Sequence, residues 1–400
     1  MRVSVIGNGL TGTLFSKALR DIDEDVDIEI FADEKHLYYP RPNLIEFLAG
    51  NLSYERLFAF PESWYEKKNI KVHLETPVEK ILPGSQELVL KGGKKAKFDI
   101  LLLANGSYAF VPPFKGAEKK GVFTLRTLED TLDILNYMES RKKAVVIGGG
   151  LLGLEIARAV KARGVDVDVV EFFPYLLPRQ LDPEAGDILR EKIEKMGIRV
   201  HLGLATDEIM GTQEARGLRF KEGGQIETEM AIVAAGVRPE IELAKEAGLE
   251  TDRGVVVNDY LQTSHPKIFA AGDNIQHKGR WYGIIPASFE QSRVAANNVA
   301  SPEEKYEGTI ASNTLKIVGL YVTSIGVVNP EEAGLEQVRK HDPGRGIYKK
   351  IVLDGGKIVG AIWMGTKEGV GEINRLITQK KDVSKWKDSL LENDFDFSVL

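Results

Sequence analysis

The sequence predicts an α/β protein with two Rossmann-like units, which wind helices around parallel sheets, and a smaller C-terminal α+β unit. Three observations carry this. The spacing Gly-x-Gly-x-x-Gly occurs at Gly7, Gly9 and Gly12 and again at Gly148, Gly150 and Gly153. Each copy follows a short apolar run and precedes a stretch of helical apolar spacing, so each reads as strand, turn, helix. From about Tyr306 the chain changes to alternating strands and one helix, with no further glycine triplet.

Residues 3–6 form the first strand, and the helix after the first glycine turn has Leu14, Phe15, Ala18 and Leu19 on one face. Aligning VDIEIFA (26–32) with VDVDVVE (165–171) sets Ala32 opposite Glu171. The acid of the first copy then comes later, at Asp33 or Glu34, either as a ribose ligand or as a surface charge. Pro40 and Pro42 keep 37–50 out of regular structure and hold Arg41 in a rigid loop. A guanidinium there can pair with a pyrophosphate, lie along a planar ring, or stay solvated.

Residues 58–67 read as a helix and 72–74 as a strand. The segments 78–81 and 87–90, parted by Pro83-Gly84, form a meander, and 91–97 is a basic hairpin tip. ILLLANGS (100–107) is a buried strand ending at Ala104-Asn105-Gly106, whose backbone is placed to lie against a cofactor. Residues 127–140 form a helix with acids in its first turn.

The second copy is the more complete. Residues 144–147 are a strand; Gly148 makes the tight turn, Gly150 lets the backbone approach a pyrophosphate, and Gly153 lets helix and sheet pack closely. The helix N-terminus offers unpaired N–H groups and a positive dipole end. Leu152, Ile156 and Val160 mark its apolar face, Gly164 caps it, and 165–170 is the next strand. Glu171 closes the unit, where a carboxylate can take both hydroxyls of an adenosine ribose. Strand, helix, strand and acid in that order predict dinucleotide binding.

A helix over 182–195, a strand over 199–202 and antiparallel β-structure over 206–230 follow. AIVAAGVRP (231–239) repeats the strand-then-small-residue logic of the Ala104 turn. Residues 255–257 are a strand, and 263–274 an apolar strand ending at Gly272-Asp273, ahead of a helix over 287–300. Asp273 suits hydrogen bonds to a polyol chain, or simply caps that helix. SNTLKIVGLYVTSIGVV, YKKIVLD and KIVGAIWMG alternate as antiparallel strands, and GEINRLITQK is a helix.

Composition narrows the chemistry. A net charge of −6 gives no reason to expect nucleic acid or an anionic membrane as a general partner. No apolar run is long enough to span a bilayer, and the N-terminal apolar stretch reads as fold rather than signal peptide, so a cytoplasmic protein is expected. There are no cysteines, which rules out a disulfide, a thiolate nucleophile and an iron–sulfur ligand from this chain. The six histidines have no metal-ligand spacing, so no metal site is expected.

GNGLTG, YPRPNL, LAG, LLLANGS, GGGLLGLE, AAGVRP and IFAAGD occur in the order found in pyridine nucleotide–disulfide-type flavoprotein reductases. The resemblance runs from residue 1 to about 375. Within that superfamily the chain is most similar to the cysteine-free NADH:rubredoxin reductases and ferredoxin (putidaredoxin-type) reductases, with the flavoprotein part of nitrite reductase close by. The resemblance implies FAD on the first glycine loop and NADH on the second, with the NAD domain (111–239) inserted into the FAD domain (1–110 and 240–305). A C-terminal interface domain (306–400) follows.

For FAD it implies Gly7, Gly9, Thr11 and Gly12 at the pyrophosphate, Asp33 (with Glu34 beside it) at the adenosine ribose, and Arg41, Val78, Ala104, Asn105, Gly106 and Arg126 along the nucleotide. Gly272 and Asp273 meet the ribityl chain, and Ile285 lies near the ring. For NADH it implies Gly148, Gly150, Leu151, Leu152, Glu155 and Glu171, with Gly236 beside the nicotinamide. Glu46 stands where ferredoxin reductases carry a lysine, which would set two carboxylates, Glu46 and Glu155, face to face near the flavin.

The implied activity is NADH oxidation through FAD to a small one-electron carrier such as rubredoxin, with no side chain needed as a nucleophile or general base. A peroxide-forming NADH oxidase, a quinone reductase and an electron-transfer subunit of a larger complex stand as alternatives. Glu171, with no arginine close behind it, favours NADH over NADPH. An acidic carrier would need a local basic face, for which Lys94, Lys95 and Lys97, or Lys349 and Lys350, are candidates. The C-terminal strands are compatible with a homodimer or with a monomer.

Overall fold

The structure is a computed structural model, and it describes residues 1–400 apart from 302, 311, 318, 319 and 331–333, with the backbone alone for 312–317. The chain divides into two compact units. One comprises Met1–Phe47, Asn51–Ala109 and Val237–Thr309; the other comprises Leu48–Gly50, Phe110–Gly236 and Ile310–Leu400.

The first unit is built on a five-stranded parallel sheet in the order Ile268–Ala270, Ile100–Leu103, Arg2–Ile6, Asp27–Phe31, Ile70–His73. Parallel strands buried on both faces need nearly continuous apolar sequence, and Ile268, Leu101, Leu102, Val3, Val5, Ile28 and Ile30 are all fully buried. The helices Leu10–Ile22 and Ile285–Ala300 pack against each other. Outside the sheet lies an antiparallel meander of Val78–Leu82, Glu87–Leu90 and Lys95–Lys97. Ser107–Ala109 pairs antiparallel with Val237–Pro239 where the chain leaves this unit and returns to it.

The second unit repeats the plan: a five-stranded parallel sheet ordered Ile198–Leu202, Asp166–Glu171, Lys143–Ile147, Met230–Val233, Val122–Thr124, with its own meander of Thr206–Met210, Gly217–Phe220 and Gln225–Glu227. Thr127 caps the helix Leu128–Met138 through a capping box with Asp130. This unit also holds the C-terminal element. Among the described residues that element is a five-stranded antiparallel sheet in the order Ser312–Ile317, Leu320–Gly326, Lys357–Met364, Ile347–Asp354, Glu336–Asp342. The helix Val370–Gln379 covers one face through Ile373, Leu376 and Ile377. Of the alternating stretch expected over 312–328, residues 318 and 319 lie outside the described residues. Among the described residues, no helix is long and apolar enough to cross a membrane.

Four expectations need correction. The helix expected over 58–67 is only Glu62–Lys67, because Pro61 occupies its N-cap and keeps 58–61 extended or turned. The segment 37–50 is not irregular throughout: Pro42 leads directly into the helix Asn43–Ala49, since proline obstructs a helix interior but not its start. Leu152, in the first turn of its helix, is 37% exposed rather than packed, whereas Ile156 and Val160 are buried. Lys349 and Lys350, each 3% exposed, offer no basic surface.

A charge cluster centred on the buried Asp168 clamps two strands of the second sheet. Asp168 receives Arg199 Nε at 2.9 Å and Nη2 at 2.7 Å, and His201 Nε2 lies 2.7 Å away. Burial pushes its pKa up, but hydrogen bonds and charge from His201 and Arg199 outweigh burial and hold it at about 2, against 3.8 for a free carboxyl. Because the folded pKa is the lower one, the cluster contributes its full stability above the free value and loses it as pH falls from about 4 toward 2. With half of Arg199 in solvent, the contribution is discounted to ~1–2 kcal/mol. Denaturant titrations should therefore show Asp168→Asn less stable than the parent at pH 7, with the two converging near pH 2. A constant difference across that range would refute the assignment.

Candidate functional site

The two glycine loops share one atomic plan. Gly7 and Gly148 have φ of +107° and +121°, and a Cβ on either would stand 2.4 Å from a carbonyl oxygen, that of Ala104 or Ala234. At Gly12 and Gly153 a Cβ would lie 2.0 Å and 1.9 Å from the oxygens of Gly7 and Gly148. The chain's own packing demands these four glycines. It does not demand Gly9 or Gly150. Their φ values, −83° and −77°, suit any residue, and a Cβ on either would meet no atom within 4 Å. Each is the N-cap of a helix of 13 or 12 residues, with no side-chain hydrogen bond to it. A helix N-terminus kept clear of side chains, with its first N–H groups lacking intrahelical partners, is a cradle for an anion.

The acids differ between copies. Gly7 N–H donates to the Phe31 oxygen and Gly148 N–H to the Val170 oxygen, both at 2.8 Å, so Ala32 stands where Glu171 stands in the second copy. Glu171 is buried, with Oε2 accepting from Gly149 N–H at 2.6 Å and Oε1 from Phe173 N–H at 2.8 Å. Each oxygen keeps a lone pair for a further donor. A side chain at Gly149 would crowd this acid: a Cβ would come 2.7 Å from the tip of Leu176 and 3.0 Å from Glu171. The aromatic pair after the acid, Phe172 and Phe173, is 63% and 48% exposed.

In the first copy Asp33 is exposed, its Oδ1 accepting from Glu34 N–H at 3.0 Å. Glu34 accepts from the Tyr39 hydroxyl and, at 2.6 Å, from the Arg41 guanidinium. Arg41 is therefore ion-paired within the unit rather than solvated, a pairing that loop geometry alone did not suggest.

The Ala104–Gly106 and Gly272–Asp273 turns follow the parallel strands Ile100–Leu103 and Ile268–Ala270 and so lie at their carboxyl ends, where open α/β sheets receive ligands. Ala104 N–H donates to the Ile6 oxygen at 2.9 Å, and Gly106 has φ +74°. The Asn105 amide is spent on the protein: Nδ2 donates to the Glu240 oxygen at 3.2 Å and Oδ1 accepts from Asn274 at 2.9 Å. Gly272, φ +98°, could carry no side chain, because a Cβ would sit 2.5 Å from Thr11 Oγ1. Asp273 Oδ2 accepts from the Ser107 hydroxyl at 3.0 Å. Val78 is buried at the start of the meander, just past Thr76, whose N–H bonds the Ala32 oxygen at 2.7 Å. Ile285, 47% exposed, opens the helix ahead of Pro286.

Arg126 belongs to the second unit, where its N–H donates to Asp130 at 2.7 Å. There Leu151 and Leu152 form the first turn after Gly150, and Glu155 pairs with Arg158 at 3.0 Å. Gly236, φ +97°, has open space where a Cβ would be. Glu46, in the first unit, accepts from Asn51 at 2.8 Å. Ser107, Asn274 and Gln291 were not singled out from sequence. Ser107 was findable as the residue closing the Ala104 turn; Gln291 carries no local signal.

Comparison with known proteins agrees with this architecture. The profile described as pyridine nucleotide-disulphide oxidoreductase matches residues 1–298, and that of the rubredoxin NAD+ reductase C-terminal domain matches 312–381. The chain is 37% identical to "Nitrite reductase [NAD(P)H]" of Bacillus subtilis over 95% of its own length and 48% of that protein's. It thus spans about half the length of the nitrite reductases it matches. It is 33% identical to "NADH oxidase" of Methanocaldococcus jannaschii, covering 91% of this chain and 88% of that one. It is 30% identical to "NADH-rubredoxin oxidoreductase" of Clostridium acetobutylicum, covering 92% and 93%. A crystal structure of NADH:rubredoxin oxidoreductase from the same organism superposes with a TM-score of 0.83 at 28% identity, over 98% of this chain and 99% of that one. With the profile spanning three quarters of the sequence and both glycine loops built as described, the chain belongs to the pyridine nucleotide-disulphide oxidoreductase family.

Proposed function

We propose that the protein oxidises NADH through FAD and hands the electrons singly to a small redox protein such as rubredoxin. The observation that carries the reading is the pair of loops whose middle glycines, Gly9 and Gly150, are needed by no atom of the protein, in a chain whose C-terminal part matches the rubredoxin reductase domain. FAD supplies the change from a two-electron donor to a one-electron acceptor. Residues 1–110 and 240–305 serve as the FAD domain, 111–239 as the NAD(H) domain and 306–400 as the interface domain.

On this reading Gly7, Gly9, Thr11 and Gly12 receive the FAD pyrophosphate and Asp33 the adenosine ribose. Arg41, held by its pair with Glu34, lines the nucleotide beside them. Val78, the Ala104–Gly106 turn and Arg126 line the flavin nucleotide; Gly272 and Asp273 meet the ribityl chain, and Ile285 the ring. Gly148, Gly150, Leu151, Leu152 and Glu155 hold NADH, with Gly236 at the nicotinamide. Glu171, fixed by two backbone donors, takes the ribose hydroxyls and repels a 2′-phosphate, so NADH is preferred to NADPH. The carrier is expected to be acidic, and Lys94, Lys95 and Lys97 are exposed, although Lys95 is already paired with Glu87. The reading places the protein in the cytoplasm, where NADH is made, and leaves the C-terminal sheet available for homodimerisation.

The oxidase of Methanocaldococcus jannaschii supports a second reading, with dioxygen as acceptor. Stopped-flow reduction of the FAD-loaded protein by NADH, followed by mixing with air or with oxidised rubredoxin, separates the two. Fast flavin bleaching, slow reoxidation in air and fast reoxidation by rubredoxin are expected. Rapid reoxidation by air with peroxide formed would make it an oxidase, and a flavin left oxidised by NADH would refute both readings.

A further inference from the structure

Gln291 lies in the helix Ile285–Ala300 and is fully buried, yet its side chain is turned toward a backbone amide rather than a neighbouring helix. Its Oε1 accepts from Gly272 N–H at 2.8 Å. Its Nε2 donates to the Tyr306 hydroxyl at 3.1 Å; that hydroxyl lies 2.7 Å from Thr309 Oγ1, which donates to Glu290 at 2.6 Å. The direction of every bond follows from its ends. Gly272 N–H can only donate, so the amide oxygen must face it and the amide nitrogen must face Tyr306. Burial pushes the Tyr306 hydroxyl up to about 12, so it keeps its proton and donates it in a hydrogen bond toward Thr309, and a Glu290 carboxylate oxygen accepts the last bond.

We propose that Gln291 is a positioning residue, set in one orientation by Tyr306, Thr309 and Glu290, that aims the Gly272–Asp273 turn at the ribityl chain of FAD. The proposal rests on the FAD reading of the first unit. Gly272 is pinned between Thr11 on one side and this amide on the other, and Asp273 is the next residue. An amide free to flip would set its NH2 against Gly272 N–H, and the turn would move.

FAD titrated into the full chain stripped of flavin, with the flavin spectrum recorded at saturation, tests this. Gln291→Leu should raise the FAD Kd about tenfold or more and shift the visible flavin bands. Thr309→Val should raise Kd about threefold, whereas Thr309→Ser, which keeps the hydroxyl, should stay within about twofold of the parent; the melting temperature of the stripped protein should change little in either. Should Gln291→Leu not fold, the two Thr309 variants decide. Parental Kd and spectrum in Gln291→Leu and Thr309→Val would overturn the proposal while leaving the FAD reading intact. A parent chain that takes up no FAD would overturn the FAD reading, and this proposal with it.

Discussion

Gly150→Ala should fold as the parent does and lose reduction of its flavin by NADH. The added methyl meets no protein atom and suits the backbone at φ −77°, so the melting temperature should hold, or rise slightly as the unfolded chain loses freedom. The methyl projects instead into the space assigned to the pyrophosphate. A loss of NADH affinity of about 100-fold, equivalent to ~2.7 kcal/mol, is expected in titrations followed by flavin bleaching. Gly9→Ala should do the same to FAD retention. Gly153→Ala supplies the contrast: its methyl would lie 1.9 Å from the Gly148 oxygen, so the helix must shift, at a cost of ~1–3 kcal/mol seen as a lower melting temperature. If Gly150→Ala binds NADH normally, the open face of that loop is not a coenzyme site.

Lys350→Met should be among the most destabilising single substitutions in the second unit. Asp182 caps the helix Pro183–Lys195 with one oxygen, bonding Ala185 N–H at 3.0 Å. Its other oxygen accepts from Lys350 at 2.9 Å and from the Tyr348 hydroxyl at 2.7 Å. Both charged side chains are nearly sealed from water, at 4% and 6% exposure. Burial works against ionisation of Asp182, and the Tyr348 hydroxyl, the Ala185 amide and Lys350 together outweigh it, so the carboxyl titrates below its ordinary range. Removing the ammonium leaves that carboxylate buried without its cation, which costs ~3–5 kcal/mol. Asp182→Asn combined with Lys350→Met should recover most of the loss, since Asn caps helices well and no lone charge remains. Denaturant melts of the four proteins of the cycle give the coupling; additive losses would mean that the pair is not a unit.

The same lysines mark a limit of reading charge from sequence. Two adjacent lysines suggest a solvated patch, but Ile347–Asp354 is an interior strand with a neighbour on each side, and both of its faces are covered. Successive side chains therefore point to opposite buried faces. Lys350 meets Asp182, while Lys349 stands 5.1 Å over the Trp363 ring and donates to the Glu392 oxygen at 3.3 Å. Arg41 is a milder case. Its loop and flanking prolines were legible, its partner Glu34 seven residues away was not, because nothing in the spacing says which way a loop turns.

The amino-acid sequence by itself determined the two strand–glycine–helix–strand units, the displacement of the first copy's acid from position 32, the small-residue turns at Ala104 and Gly272, and the change of architecture after Tyr306. Each of these is a local matter, in which glycine spacing and apolar period act on neighbouring residues of one strand, turn or helix. Tertiary structure alone decided which glycines the protein needs for its own packing and which it leaves open, since that depends on Ala104 approaching Gly7 and Ala234 approaching Gly148. It alone also joined Asn105 to Asn274, Asp182 to Lys350 and Gln291 to Gly272, across as many as 169 residues of chain. Those partners meet because parallel strands bring their carboxyl ends to one edge and a closed sheet face leaves a buried charge only one place to go, and neither condition is written in any short stretch of residues.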